Sequence, residues 1–226
     1  MSSEPFWEDA YREAPSDPFG SASSEVVEML SVLPVGSRVL DLGCGMGRNS
    51  VPLARAGMSV TCVDMSEAAC ARIRSDASEL VESGHLSVIA GDMGRFDSDG
   101  GYDLIIAHGV LHLLERDERL ALVERMKRWT IPCGFNILAV FTDRLPTPAD
   151  MLDQFVGLFD EGEIAAAYSD WDIVLSQAYT LDDEHAGGIR HSHPVNKVVA
   201  RRRSLPANPG VNPTTPCELH SGPEWA

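Results

Sequence analysis

The stretch Val39-Leu40-Asp41-Leu42-Gly43-Cys44-Gly45-Met46-Gly47 constrains this chain more tightly than any other. An apolar run ends in glycines at every second position, and a helical pattern follows. Glycine lets a backbone turn tightly and lets a ligand reach main-chain atoms. The stretch therefore predicts a strand, a ligand-contacting turn and a helix. A dinucleotide-binding turn reads G-x-G-x-x-G, but here the glycines fall as G-x-G-x-G and the sixth position is Arg48. Asp41, just before the turn, sits awkwardly beside a pyrophosphate and suits a cationic ligand.

The same alternation continues along the chain. Short β-type runs fall at 37–42, 58–64, 86–91, 102–107, 134–142, 171–178 and 190–201, with helical stretches in most of the gaps. Ser23 to Leu33 carries an apolar stripe of Val26, Val27, Leu30 and Leu33, and Pro34-Val35-Gly36 ends it. Ser66 to Val81 and Glu115 to Trp129 behave likewise. Strands alternating with helices predict an α/β fold with a parallel sheet. Only the polar stretch Asp182 to Gly188 separates the last two runs, too short for a parallel crossover, so the last strand should run antiparallel.

Three acids follow from this layout. Asp41 precedes the turn, and Asp64, followed by Met65, ends the second strand where a carboxylate can accept two hydrogen bonds from a ribose diol. Asp92 with Met93 follows the third strand, where a carboxylate can accept from an adenine amino group and a thioether can cover the ring. All three fall at the carboxyl edge, where open α/β sheets bind ligands.

Composition narrows the choice of partner. At 226 residues there is room for one ordinary domain, and 18 Lys and Arg against 34 Asp and Glu leave a net charge of −16, which repels nucleic acid. Apolar runs such as Ile137 to Phe141 are too short for a bilayer, and residues 1–20 lack a secretory pattern, so the expected location is cytoplasmic. Cys44, Cys62, Cys70, Cys133 and Cys217 are odd in number with no Cys-x-x-Cys pair, which argues against a disulfide framework or zinc knuckle.

With these motifs in hand, the chain resembles the class I S-adenosylmethionine-dependent methyltransferases over residues 20–203. The resemblance rests on the glycine turn, the Asp64 strand end, Asp92-Met93 and Tyr102-Asp-Leu-Ile-Ile-Ala-His-Gly-Val. It implies a Rossmann-like three-layer sandwich with a seven-stranded, mostly parallel sheet and an antiparallel last strand. It implies S-adenosylmethionine as cofactor, with Gly43 and Gly45 on the methionine moiety, Asp64 on the ribose and Asp92 on the adenine. Leu42-Gly-Cys-Gly-Met-Gly-Arg-Asn-Ser50, Met126-Lys-Arg-Trp-Thr-Ile-Pro-Cys-Gly-Phe-Asn-Ile137 and Tyr168-x-x-Trp171 are similar to the tellurite-resistance (TehB-like) methyltransferases. That family methylates tellurium and selenium oxyanions and carries a His-Arg pair near the last strand. Asp182-Asp183 stand there in this chain, while Arg190 resembles a family arginine.

The resemblance also implies where the methyl acceptor sits. The reversed last strand begins at the cofactor edge, which brings His185, Arg190, His191 and His193 forward as catalytic candidates. His191 and His193 share a strand face. With His185 they could supply a general base or a metal site, or simply face solvent. His108 borders the cofactor through its backbone, and His112 is expected on the following helix in a packed or acceptor-facing position. Trp7 and Tyr11 share a helical face within an N-terminal lid, residues 1–20, before a catalytic domain at 21–203 and a flexible Pro-rich tail at 204–226. Arg48 could meet the cofactor carboxylate or form a surface ion pair. The expected partner is a small-molecule acceptor: an oxyanion, a thiol, or a hydroxyl in the manner of natural-product O-methyltransferases. A nicotinamide oxidoreductase and a non-catalytic cofactor-binding module are the alternatives from other classes.

Overall fold

The computed structural model describes residues 6–13, 20–148, 151–185 and 189–204. Seven strands form one sheet in the order β3-β2-β1-β4-β5-β7-β6. They are β1 (Arg38–Leu42), β2 (Ser59–Asp64), β3 (Leu86–Ala90), β4 (Tyr102–His108), β5 (Thr130–Phe141), β6 (Asp172–His185) and β7 (Ile189–Arg201). β1 pairs in parallel with β2 and β4, β2 with β3, and β4 with β5. β7 inserts between β5 and β6 and runs antiparallel to both. Its reversal follows from the short connection behind it, as the sequence requires.

Helices cover both faces. α2 (Ser24–Val32) and α3 (Ser50–Arg55) flank β1 in sequence, and α4 (Glu67–Asp76) follows β2 with Ser66 Oγ capping the Ala69 amide at 3.1 Å. Val26, Met29, Leu53, Val39, Ile106 and Ile137 pack on one side of the sheet. On the other, Leu40, Leu42, Ile105 and Leu138 meet Leu122 and Met126 of α6 (Arg116–Trp129) and Tyr168 beyond α7 (Glu163–Ala167). Strands buried on both faces read as continuous apolar runs, which is why β1 shows no alternation. α1 (Phe6–Glu13) lies against α4.

Three expectations need correction. The single helix read over Ser66 to Val81 breaks at Ala77 (φ −127°, ψ 36°) into α4 and α5 (Ser78–Glu82), a bend that lets both Ala77 and Leu80 reach the core. The polar stretch after Leu181 is not all loop, because β6 continues to His185 through ladder pairs such as Asp183 with His191 and Glu184 with Arg190. Pairing with β7 outweighs the polar composition there. Cys44, Cys62 and Cys70 are buried free thiols, but Cys133 is disulfide-bonded, against the reading of the cysteines from their number and spacing. Among the described residues, no helix is long and apolar enough to cross a membrane.

Candidate active site

Strand order reverses between β1 and β4, and the crevice outside such a switch point is where open sheets receive ligands. The glycine turn sits there. Gly43 and Gly45 have φ of 68° and 54°, in the region that favours glycine. A Cβ on Gly43 would come within 2.4 Å of Val110 Cγ1, and one on Gly45 within 2.7 Å of the Tyr11 hydroxyl. Only glycine fits between these neighbours, and Tyr11 reaches the turn from α1.

Asp64 closes the turn from β2. Its Oδ2 accepts from the Gly45 amide at 2.7 Å and its Oδ1 from the Ser66 amide at 2.9 Å. A carboxylate offers about four lone pairs, so two remain for a diol. Burial raises the Asp64 pKa, and the Ser66 and Gly45 amides pull it back. Beside it Met65 is 64% exposed, a large apolar side chain open at a strand tip. Asp92 is exposed and accepts from the Gly94 amide at 2.7 Å, while Met93 packs half-buried on the core. These residues fit an adenosine: a carboxylate for the ribose, a second for the base, and an open thioether beside them.

Asp41 departs from its expected place on this edge. Its side chain is fully buried and accepts from Ser50 Oγ at 2.5 Å, so it ties β1 to α3 instead of facing a ligand. Burial pushes its pKa up to about 7, despite that hydrogen bond and the nearby Arg48.

His108, at the end of β4, works through its side chain as well as its position. Arg48 Nη2 lies 2.9 Å from Nδ1. A guanidinium can only donate, so Nδ1 holds the lone pair and Nε2 carries the proton. Nε2 then donates to Glu25 Oε1 at 3.0 Å, and the other Glu25 oxygen pairs with Lys197 Nζ at 2.7 Å. Ser23 Oγ lies 3.1 Å from both Nε2 and Arg48 Nη1. Burial lowers the His108 pKa, the Glu25 contact opposes it, and Arg48 adds to the lowering. For Glu25 burial acts upward, but bonds to His108 and Lys197 more than offset it and bring the pKa to about 2. Arg48 is therefore neither a loose surface ion pair nor aimed outward. Sequence reasoning missed Glu25 and Lys197. Glu25 reads as a solvated helix residue, whereas a lysine inside the apolar run Val195 to Ala200 was a usable signal of a buried partner.

The histidines converge farther along the edge. His108 pairs with Ala139 and Ala139 with Lys197 across the rungs, so one face carries them together with Phe141 and, two and four residues before Val195, His193 and His191. Both histidines are buried, with ring centroids 5.8 Å apart, as their shared strand face predicts. The Phe141 ring lies between those of His112, at 4.2 Å and 15°, and His193, at 4.8 Å and 1°. Phe155 stands edge-on to all three. His112 is not on α6 but on a single 3-10 turn, Leu111–Leu113, fully buried. Burial pushes its pKa down to about 3, and its Nδ1 has no hydrogen-bond partner. Arg190 is exposed on the ribbon that β6 and β7 extend past Val195, the partner of the last β5 residue, Phe141. The His185 side chain lies outside the described residues, as do the tail from residue 205 and most of the segment before residue 20. Among the described residues, no group of three His, Cys, Asp or Glu is placed to hold a metal.

A sheet of this order, with a glycine turn at its switch point and carboxylates on the next two strand ends, is the fold and cofactor edge of the class I S-adenosylmethionine-dependent methyltransferases. Within that class the family model described as tellurite resistance protein TehB matches residues 3–187. The chain belongs to the TehB family. The probable S-adenosyl-L-methionine-dependent methyltransferase TehB of Haemophilus influenzae is 32% identical over 139 residues, 61% of this chain and 46% of that protein. The mitochondrial ubiquinone biosynthesis O-methyltransferase of Schizosaccharomyces pombe is 36% identical over 113 residues, 49% of this chain and 40% of that one. The crystal structure of H. influenzae TehB superposes with a TM-score of 0.70 at 26% identity, over 80% of this chain and 62% of the other. The chain thus spans about half the length of the curated relatives it matches.

Proposed function

We propose that this chain transfers a methyl group from S-adenosylmethionine to a small-molecule nucleophile. The observation that carries the reading is Asp64, held by the Gly45 and Ser66 amides at the tip of β2 with lone pairs left for a ribose diol. Membership of the TehB family supports it. The cofactor supplies a methyl group on a sulfonium, already activated for in-line displacement, so the protein mainly aligns the acceptor and excludes water. Gly43 and Gly45 make room for the methionine part, Asp92 takes the adenine amino group, and Met65 and Met93 flank the ring. Tyr11, over Gly45, and Trp7, one turn earlier, cover the site. His191 and His193 are the nearest candidates to receive an acceptor proton, and His185 and Arg190 belong to the ribbon over the entrance.

The family name points to a tellurium oxyanion, with selenium oxyanions and thiols as the chemically related acceptors. A second reading, methylation of a hydroxyl, is favoured by the identity to an O-methyltransferase. Calorimetry with S-adenosylmethionine, followed by an assay of S-adenosylhomocysteine release with tellurite, selenite, thiols and phenols, tests both. Binding lost in Asp64→Ala and release with one acceptor class is the expected outcome. Tight binding with no release from any acceptor means a non-catalytic binding module, and preferential binding of a nicotinamide cofactor refutes the reading.

A further inference from the structure

Four side chains from four parts of the fold meet in one line beside the glycine turn. Lys197 of β7 donates to Glu25 of α2 at 2.7 Å, Glu25 accepts from His108 Nε2 at 3.0 Å, and His108 Nδ1 accepts from Arg48 Nη2 at 2.9 Å. Resting on the methyltransferase reading above, we propose that Lys197, Glu25 and His108 are positioning residues: they hold Arg48 so that its guanidinium meets the carboxylate of the cofactor's amino-acid end.

Arg48 leaves the glycine turn one residue after Gly47, and His108 stands two residues before Val110, the residue that presses on Gly43. Their contact therefore brackets the turn that takes the methionine part of the cofactor. Charge singles out Arg48. Its partners among the described residues are the Ser21 carbonyl at 3.0 Å, the Ser23 hydroxyl at 3.1 Å and the His108 ring, all neutral, whereas Lys197 is balanced by Glu25. Asp41 feels Arg48 but is sealed in the interior, where burial pushes its pKa up to about 7. A half-buried guanidinium with only neutral partners suits an anion. Three of its five N–H groups are engaged, which leaves Nε and one Nη2 hydrogen, the edge that meets a carboxylate side-on.

The line of contacts fixes that edge through the His108 tautomer. A guanidinium only donates, so Arg48 needs a lone pair on Nδ1, and Nδ1 of the neutral ring carries one only while Nε2 holds the proton. Glu25 keeps the proton there by accepting from Nε2, and Lys197, with its ammonium 5.6 Å from the centre of the Tyr179 ring, keeps Glu25 in place. Without Lys197, Glu25 is released and His108 can take the other tautomer, whose Nδ1–H opposes Arg48. An arginine held in advance loses its rotamer freedom on folding instead of on binding, which strengthens its hold on a ligand.

The experiment titrates the full chain by calorimetry with S-adenosylhomocysteine and with S-adenosyl-3-thiopropylamine, which keeps the adenosine, the sulfur and the ammonium and lacks only the carboxylate. The unsubstituted chain should bind the first more tightly by roughly ten- to hundredfold, and Arg48→Met should erase that preference. Lys197→Met and His108→Phe should each weaken S-adenosylhomocysteine by about three- to tenfold and leave the amine unchanged, and His108→Phe gives the second reading should Lys197→Met fail to fold. In an Arg48→Met background, Lys197→Met should weaken S-adenosylhomocysteine no further. Equal losses of both ligands in Lys197→Met and His108→Phe mean a structural role alone and overturn the proposal, as does an Arg48→Met variant that keeps the preference. An unsubstituted chain that binds both ligands equally sinks this inference alone. Failure of the unsubstituted chain to bind either ligand sinks the methyltransferase reading beneath it.

Discussion

Asp41 and Asp64 end neighbouring strands with the same side chain and differ in what surrounds them. Asp41 accepts a hydrogen bond from Ser50 in a closed interior, and its pKa rises from the ordinary 3.8 to about 7. A carboxyl group whose folded pKa lies above its unfolded value favours folding in its protonated form. That contribution is complete below about pH 4 and disappears as the pH rises through 7. Urea titrations of the unsubstituted chain should therefore show a loss of a few kcal/mol across this window, and Asp41→Asn should flatten it. Glu25 runs the other way: with its pKa lowered to about 2, its contribution is present above the unfolded value and lost as the pH falls toward 2. Asp64 keeps free lone pairs at an edge, so Asp64→Asn should cost roughly ten- to hundredfold in S-adenosylmethionine affinity, measured by calorimetry, since bonds to a charged acceptor are worth about 1.5–3 kcal/mol. Asp41 and Asp64 were legible as acids at strand ends, whereas Glu25 reads in the sequence as a solvated helix residue. Which of them is sealed was not legible, because burial depends on what α2 and α3 place over each.

Elements meet at single contacts that carry much of the docking. The first turn of α2 is tied to β4 and β7 by Glu25, which bridges His108 and Lys197 from a position 1% exposed. Removing one partner of a buried pair leaves the other uncompensated, so Glu25→Gln and Lys197→Met should each cost about 3 kcal/mol in unfolding free energy. The double variant should cost less than the sum, and a double-mutant cycle by urea unfolding checks it. The segment before α7 is fixed in another way, by the Gly157 amide on the His112 carbonyl at 3.0 Å. A Cβ at Gly157 would lie 1.8 Å from the Leu114 carbonyl oxygen. Gly157→Ala should lower the thermal midpoint by roughly 3–10 °C, read by circular dichroism. The strands and the hairpin were legible because apolar runs and a short connection are local features. The bend at Ala77 and the length of β6 were not, since one answers to the core and the other to pairing with β7.

Over the whole molecule, a net charge of −16 surrounds an edge whose basic side chains are already paired. Such a field repels anionic acceptors, and salt screens it over about 10 Å at 0.1 M. For a neutral acceptor, kcat/KM should stay flat between roughly 50 and 500 mM salt, whereas for selenite or tellurite it should rise with salt. A rise with phenol as substrate would show that charge near the entrance matters in another way. The glycine turn, the acids at successive strand ends and the short last connection by themselves determined the sheet, its reversed strand and the cofactor edge. Each is a local pattern with one economical structural solution. Only the tertiary structure decided that Asp41 would be sealed, that Arg48, His108, Glu25 and Lys197 would form one chain of contacts, and that His112, Phe141, Phe155 and His193 would stack. Those residues are distant in sequence, and a packed interior alone brings them within hydrogen-bonding or ring-stacking distance.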